Sequence, residues 1–558
     1  MSDPFAAPSC SIEVYPFEGG PYTLQGGQIR SVTVEKSLRG GSVGNVEVRL
    51  APGGPNGPES VATWSQVITP MSHIVVGMSR GRRAAIVLDG VTTRTSEAEE
   101  WESSEQGAVA GRDPVILGAD FAWFFRSFNW YALTFLGMGA GSAWGNALGL
   151  VSAGLPALID QGTQGGLSPT ESARRWYTKI MAAPGAILGK TYVPYKNNTR
   201  LPFGQVVSTF WEDYPGIVIP YADNFMATEQ SWMDKFMGIL PMPWYEFFVT
   251  TASATDYSFV PGSTGQRYAS PGLTMVSQPL APAAGPCLVA RLNPTPALGA
   301  QASTATADNT LTELDMSRWN ALPLNAPDAG FYASEITFDA EGARNFYQLN
   351  PTAYSAMFGV NNANNIPFPF SFTGAVDAAS VQRYGFRPEI GTFRWMYDPL
   401  GTAAQNSNVN IPQTIAVLLA RLVSWHHPAV FMAHASAVFP LMPDVRIGTR
   451  FRYYPFKGAP SWDFYVEAVK HRFVFGGTST TSLLLSRGLP TAIYQDSASN
   501  GRLKAIHLGN AQRFGGEYVV GLPSGSAPPL TTFGSPESLT AMAGNLAEIF
   551  VTPQPTGY

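Results

Sequence analysis

Charge is scarce in this 558-residue chain: Asp, Glu, Lys and Arg together make up 13% of it, about half the usual share. The small excess is acidic, with a formal net charge of -5. A general nucleic-acid binder, which needs a basic face, is therefore excluded. A surface that nucleic acid slides past without sticking is not. Cysteine is scarcer still. Cys10 and Cys287 are the only two, too few for a disulfide scaffold or a zinc site. Free thiols are expected, in keeping with assembly in a reducing cytoplasm. The first twenty residues, "MSDPFAAPSCSIEVYPFEGG", lack the basic and apolar regions of a signal peptide, so none is expected.

The motifs of common catalysts are missing as well. There is no G-x-S-x-G elbow and no P-loop. "GMGAGSAWG" departs from G-x-G-x-x-G, because Ser142 and Trp144 stand where a third glycine is needed. Of the six histidines, only His426, His427 and His434 cluster, and no acid accompanies them to complete a zinc triad. Glu212-Asp213, in "FWEDYPG", is the best acidic pair for a glycosidase-like site. Adjacent strand residues face opposite ways, however, and a solvated turn before Pro215 is the plainer reading. Asn197-Asn198-Thr199 is a formal glycosylation sequon that means little without a signal peptide. No catalytic, cofactor-binding or metal-binding residue is assigned, and no cofactor is expected.

What the chain has in quantity is glycine (56), proline (45) and aromatic residues (12%), within a hydrophobic content of 45%. That mix suits short strands, many turns and broad surfaces buried against other subunits, in about three or four domains. Residues 28 to 120 read as all-β, in runs such as "SVTVEKS", "NVEVRLA" and "HIVVGMS", with "TSEAEEWESSEQG" (95–107) expected as an acidic surface loop. Residues 121 to 245 read as more helical. "SPTESARRWYTKIMA" opens on a capping signal at Ser168 or Thr170, and "TEQSWMDKFMGIL" carries Trp232, Phe236 and Leu240 on one stripe before Pro241. Strands return in "WYEFFVTTA", "CLVARLN" and "YASEITFD". A helix is expected over 411–434, then a hairpin over His471–Pro490 turning at Gly476-Gly477. Trp130 to Ile159 carries no charge and exceeds the ~20 residues that span a bilayer. Five glycines between Gly137 and Gly149, and no flanking basic cluster, favour a buried or subunit-facing helix over insertion.

Two stretches echo each other. "SHIVVGMSRGRRAAIVLDGV" and "PDVRIGTRFRYYPFKGAPSWDFYVEAV" each read as a strand ending at a glycine (Gly77, Gly448), a basic connection, then a strand ending in an acid, a small residue and valine. Two related barrels separated by a large insertion would give this pattern.

Pro443, Val445, Ile447 and Gly448, then Tyr465-Val466-Glu467-Ala468-Val469-Lys470-His471, then Thr480 to Gly488, resemble three successive strands of the baseplate or tail-tip hub proteins of tailed bacteriophages. Similar, more loosely, are Asp89-Gly90-Val91, Ile116 to Asp120, Leu288 to Arg291 with Pro294 and Trp319, and Tyr384-Gly385-Phe386-Arg387. The likeness covers roughly residues 28 to 490, although Gly137 to Gly238 looks longer than the family's middle. It implies a mainly β fold with α+β insertions, including two tail-tube-like antiparallel barrels and a mixed central region. The implied divisions are a first barrel over 1–120, a helix-rich insertion over 121–245, a mixed middle domain over 246–370, a second barrel with one helix over 371–490, and a Gly/Pro-rich extension over 491–558. It further implies a non-enzymatic homotrimer in the virion tail, assembled in the host cytoplasm. Three copies would present six barrels, matching a hexameric tube to a trimeric spike. The implied partners are the tail tube or distal tail protein, the central spike or tip protein, the tape measure protein, other baseplate proteins, DNA in transit and the host envelope. The alternatives are a cell-wall or polysaccharide hydrolase using Glu212 and Asp213, and a membrane-active protein using 130–159.

Overall fold

The structure is a computed structural model. It describes most of residues 7–127, 230–253, 344–353 and 433–490, with shorter stretches at 129–130, 169–177, 192–195, 199–202, 206–212, 265–268, 284–292, 324–325, 333–337, 374–376 and 384–397. The N-terminal part holds β1 (Pro8–Tyr15), β2 (Tyr22–Gln25), β3 (Ile29–Ser37), β4 (Asn45–Leu50), the one-turn helix α1 (Trp64–Val67), β5 (His73–Arg80), β6 (Arg83–Ser104), β7 (Gly107–Asp120) and α2 (Ala122–Ser127). Next come β8 (Asn129–Trp130), α3 (Pro169–Tyr177), β9 (Tyr192–Tyr195), β10 (Thr199–Pro202), β11 (Ser208–Glu212), β12 (Gln230–Ser231), α4 (Trp232–Ile239), β13 (Tyr245–Ser253), β14 (Gly265–Tyr268) and β15 (Ala284–Leu292). The last group is β16 (Leu324–Asn325), β17 (Ala333–Thr337), β18 (Phe346–Ala353), β19 (Gly374–Val376), β20 (Pro388–Tyr397), β21 (Ala433–Pro440), β22 (Arg450–Tyr453), β23 (Trp462–Val474) and β24 (Thr480–Pro490).

The fold is mainly β, as the sequence implies, and strands from distant parts of the chain share one sheet of thirteen. Its order is β17-β21-β24-β23-β3-β4-β7-β6-β5-β1-β2, with β22 on β23 and β16 on β22. The seam is the antiparallel pair β3–β23, which runs from Ala468↔Ser37 to Val474↔Ser31. Alternation explains the register. Val32, Val34, Val46, Val48, Val469, Phe473, Leu483 and Leu485 all point to the buried side. Phe473 and Leu441 pack into the same core as Ile12, Val14, Val32, Val48 and Ile74. The strands on either side of the seam therefore share apolar contacts as well as backbone hydrogen bonds. Arg83 on β6 adds a half-buried ion pair with Asp444 at 3.1 Å.

A second sheet, β13-β15-β11-β14, lies in the middle of the chain. Aromatic residues of α2, α3 and α4 cluster with it: Phe125 meets Tyr177, Phe236 and Phe247 at centroid distances of 5.9–6.3 Å. Helix α4 begins as the sequence predicts. Ser231 caps it, accepting from the Asp234 N–H at 3.1 Å, while Asp234 answers the Ser231 N–H. Its stripe, Trp232, Phe236 and Leu240, is buried. β18, β19 and β20 form a third, small sheet.

Several expectations need correcting. Residues 95–104 and Gly107 are strand rather than loop. Glu97 to Ser104 pair residue by residue with Pro114 to Gly107, so β6 and β7 run on as a two-stranded ribbon beyond their neighbours. Residues 121–245 contain β9, β10 and β11 among their helices. β1 and β2 precede the first strand read from the sequence. The two echoing stretches also differ: Gly77 lies inside β5, opposite Ser11, whereas Pro443 to Gly448 form turns rather than a strand. The helix expected over 411–434 lies outside the described residues, except that Ala433 and His434 already belong to β21.

Candidate functional site

Three features of the large sheet can bear function: its wet face and two buried polar junctions behind it.

Register gives the wet face residue by residue. One row across the sheet reads Val438, Ser482, Lys470, Glu35 and Asn45, and the next reads Thr480, Arg472, Thr33, Glu47 and Leu117. The face is small, polar and almost balanced in charge. Its cations are partly tied to carboxylates: Lys470 sits 3.3 Å from Glu35, across the seam, and Arg49 sits 2.8 Å from Glu47. Both pairs are about half exposed and add little to stability. They do mute the positive potential that would hold a polyanion.

The first buried junction lies just behind this face, where β3, β7 and β23 bring Lys36, Asp120 and His471 to the core side, with His73 and Asp89 of β5 and β6 buried on the opposite face of the sheet. Lys36 follows Val32 and Val34 on the core side of β3, and is buried with its Nζ 3.9 Å from Asp120 Oδ2. Asp120 Oδ1 accepts from the Ala122 N–H at 3.0 Å. His73 Nε2 and Asp89 Oδ1 are 2.7 Å apart, both fully buried. His471 Nδ1 meets Thr481 Oγ1 at 2.9 Å. Thr481 Oγ1 also accepts from the Met442 N–H, and the ring makes a backbone hydrogen bond at Val445. Burial sets the protonation here. It pulls the Lys36 ammonium down, against the Asp120 charge, pushes the Asp120 carboxyl up to about 6 and pulls His471 down to about 4.

The second junction fastens the middle sheet to β23. Arg291 on β15 donates from Nε to Glu246 Oε2 at 2.9 Å, and from one terminal nitrogen to the Gly448 carbonyl at 2.8 Å and the Tyr465 hydroxyl at 3.0 Å. Tyr465 donates to the other Glu246 oxygen. All three side chains are buried, and burial, then the Glu246 charge, keep the Tyr465 phenol protonated. Gly448 has φ +71°, and a Cβ there would lie 2.9 Å from the Arg291 guanidinium and 3.1 Å from the Phe248 ring. Only glycine suits both the turn and the approach.

Sequence reasoning singled out Arg291, Gly448 and Tyr465 in three separate motifs, and the fold brings them together. It also puts Asp89 and Asp120 in one neighbourhood. It missed Glu246, Lys36 and His73, each visible only as a charged or polar residue on the core side of an apolar strand. The proposed hydrolase pair is not assembled within view: Glu212 ends β11 opposite Gly265, and Asp213 lies outside the described residues, as do His426, His427 and residues 131–159. His434 pairs with Thr337 in β21. Among the described residues no His, Cys, Asp or Glu group is arranged to hold a metal ion, and no helix is long and apolar enough to cross a membrane. Cys10 and Cys287 are both buried, and neither is in a disulfide.

No family model matches the sequence, and no curated protein does. Among solved structures, the chain is similar to a tail protein from Neisseria meningitidis, at 9% identity and a TM-score of 0.35, covering 86% of this chain and 96% of that one. It is also similar to the 43 kDa tail protein of prophage MuSo2 from Shewanella oneidensis, at 9% identity and a TM-score of 0.38, covering 86% and 98%. A third is the Escherichia coli c3393 protein, a type VI secretion component described as structurally similar to tail proteins gp27 and gp5 of bacteriophage T4. There the identity is 6%, the TM-score 0.33, and the coverage 86% and 76%.

Proposed function

We propose that this chain is a structural hub of a bacteriophage tail baseplate or tail tip. Three copies form a ring that adapts a hexameric tail tube to a trimeric spike and leaves a channel for DNA. One observation carries the reading: the strand ladder crosses from β23 to β3 without a break in register. One polypeptide thus offers two neighbouring sets of strands as a single wall, wet on one side and packed on the other. Three such walls offer six sets, the number a sixfold tube requires, and a closed ring buries the edges that β2 and β17 leave at the ends of the sheet.

The wet face is the channel lining in this reading. Its hydroxyls and paired charges offer DNA no continuous basic track, so transit is not slowed by counterion release. The β6–β7 ribbon and the aromatic-rich middle are surfaces for the tube, spike, tape measure and other baseplate proteins. The hub works in the virion tail, is built in the host cytoplasm and has no catalytic role. The domain divisions 1–120, 121–245, 246–370, 371–490 and 491–558 belong to the same proposal.

Sedimentation and light scattering of the full chain, with negative-stain imaging, test it. The expected result is a trimer with a central hole. A monomer at every concentration, alone and with tail partners, overturns the reading.

A further inference from the structure

β21 ends at Pro440 and β22 begins at Arg450. The strap between them, Leu441 to Gly448, is bent into turns, and three separate parts of the molecule hold it. On the C-terminal strands, the Leu441 N–H donates to the Ser479 carbonyl at 3.2 Å, the Met442 N–H to Thr481 Oγ1 at 2.8 Å and the Gly448 N–H to the Val466 carbonyl at 2.8 Å. On the N-terminal strands, Leu441 packs into the core of Ile12, Val14 and Val48. Arg83 of β6 donates to both oxygens of Asp444, at 3.2 and 3.1 Å. On the middle sheet, Arg291 donates to the Gly448 carbonyl at 2.8 Å.

Only Val445, Arg446 and Ile447 separate the Asp444 contact from the Gly448 contact, and this span has no slack. Val445 and Ile447 are buried. The Val445 N–H donates to the Met442 carbonyl at 3.3 Å, and the His471 ring makes its backbone hydrogen bond at Val445. A shift at one end must move the other or break these contacts, because close-packed interiors transmit displacement rather than absorb it. Fixing the strap also costs backbone entropy, and that cost falls once on the whole strap, not once on each contact. We infer that the strap is a latch: it docks as a unit on the N-terminal strands, the C-terminal strands and the middle sheet, and so couples the Arg83–Asp444 ion pair to the Arg291 junction. These two contacts share no side chain, so the strap carries their coupling. Coupling of this kind is reciprocal, and weakening either contact loosens the other. A movement of the middle sheet against the wall is thereby felt at β6. N-terminal strands out of place leave Arg291 without its carbonyl. The latch is complete within one chain and does not need the ring.

Hydrogen exchange of the folded full-length protein, read at single amides, tests the latch from both ends. Arg83→Gln removes the half-buried ion pair at one end, and the Gly448 N–H, at the other, should then exchange about threefold faster, the scale of such a pair. Glu246→Leu with Arg291→Met takes the guanidinium from the Gly448 carbonyl without leaving a buried anion, and the Met442 N–H should exchange faster by at least about the same factor. Amides of the β3–β4 ladder should keep the wild-type rate in both variants. Denaturant titration closes the cycle: combining all three substitutions should cost less in the unfolding constant than the product of the two separate losses. Faster exchange confined to residues next to the altered side chains, or losses that simply multiply, overturns the latch and leaves separate fastenings. A rise shared equally by the β3–β4 amides means general loosening and overturns it as well. The Arg83→Gln arm is decisive by itself should the other variant not fold.

Discussion

His471 sits 4% exposed on the packed side of β23, between Lys470 and Arg472 on the wet side. Its neutral ring is satisfied by Thr481 and Val445. Protonation would place a charge in a desolvated site. Burial therefore holds its pKa down at about 4, helped by the Lys36 and Arg446 charges. The unfolded chain, with an ordinary histidine near 6.5, binds that proton more readily. The sign follows: the contribution to stability is fully present above about pH 6.5 and is lost as pH falls toward 4. The shift corresponds to about 3 kcal/mol. His471→Gln should flatten the pH dependence of the unfolding midpoint between pH 6.5 and 4 relative to wild type. If the two profiles stay parallel, His471 is not held neutral. The sequence names His471 within a hub-like motif but does not tell which way it faces. Parity on β23 does, once Val469 and Phe473 are known to be core. Lys36 was harder to see, because a lysine after Ser31, Thr33 and Glu35 reads as one more wet residue unless the strand is counted from Val32 and Val34.

Between elements, the Arg291 junction is the main polar fastening described from β13 and β15 to β23. Its energetics are those of a buried ion pair: weak evidence of net stability while intact, and costly when halved. Arg291→Met leaves Glu246 as a buried anion with only the Tyr465 hydroxyl to answer it, and should cost roughly 3–5 kcal/mol. Glu246→Leu combined with Arg291→Met removes both charges and should recover most of that loss in the same denaturant titration. A double variant as unstable as the single one would mean that the arginine acts by filling space. Strands were the most legible elements. β3, β4, β23 and β24 were readable from alternation, because over much of each one side is wet and the other packed, whereas β5, buried on both sides from His73 to Val76, was read from its β-branched run. The β6–β7 ribbon was not, since the run from Thr95 to Ser104 is acidic and carries no apolar–polar alternation to read. The turn at Pro443–Gly448 was mistaken for a strand for a related reason. Val445 and Ile447 alternate because both are buried, but the backbone is bent to deliver the Gly448 carbonyl to Arg291.

At the scale of the molecule, the pairing of β3 with β23 makes the most distant parts of the described sequence immediate neighbours. Closing so long a loop costs entropy, and a topology dominated by such contacts folds slowly. The contacts must therefore repay it locally, and they are dense. Seven registered pairs run along the seam. Phe473 lies in the core of the N-terminal strands, Arg83 reaches Asp444, and the Phe475 N–H donates to the Arg30 carbonyl at 3.0 Å. No alternation or motif could announce this partnership, because pairing between strands is invisible within either strand. Only the hub-like resemblance hinted that the two strand sets belong side by side. If the seam carries the association, the covalent chain between the halves is dispensable once folding is complete. A protease site inserted between residues 300 and 310 and cut in the folded protein should leave two pieces that co-elute on native gel filtration and part only in denaturant. Phe473→Ala, which empties a core position at a typical cost of roughly 3–5 kcal/mol, should let the cut pieces separate at lower denaturant than wild type. Pieces that drift apart in native buffer would mean that the ladder between β3 and β23 is too weak to make one wall of two strand sets, and the ring built on that wall would fall with it.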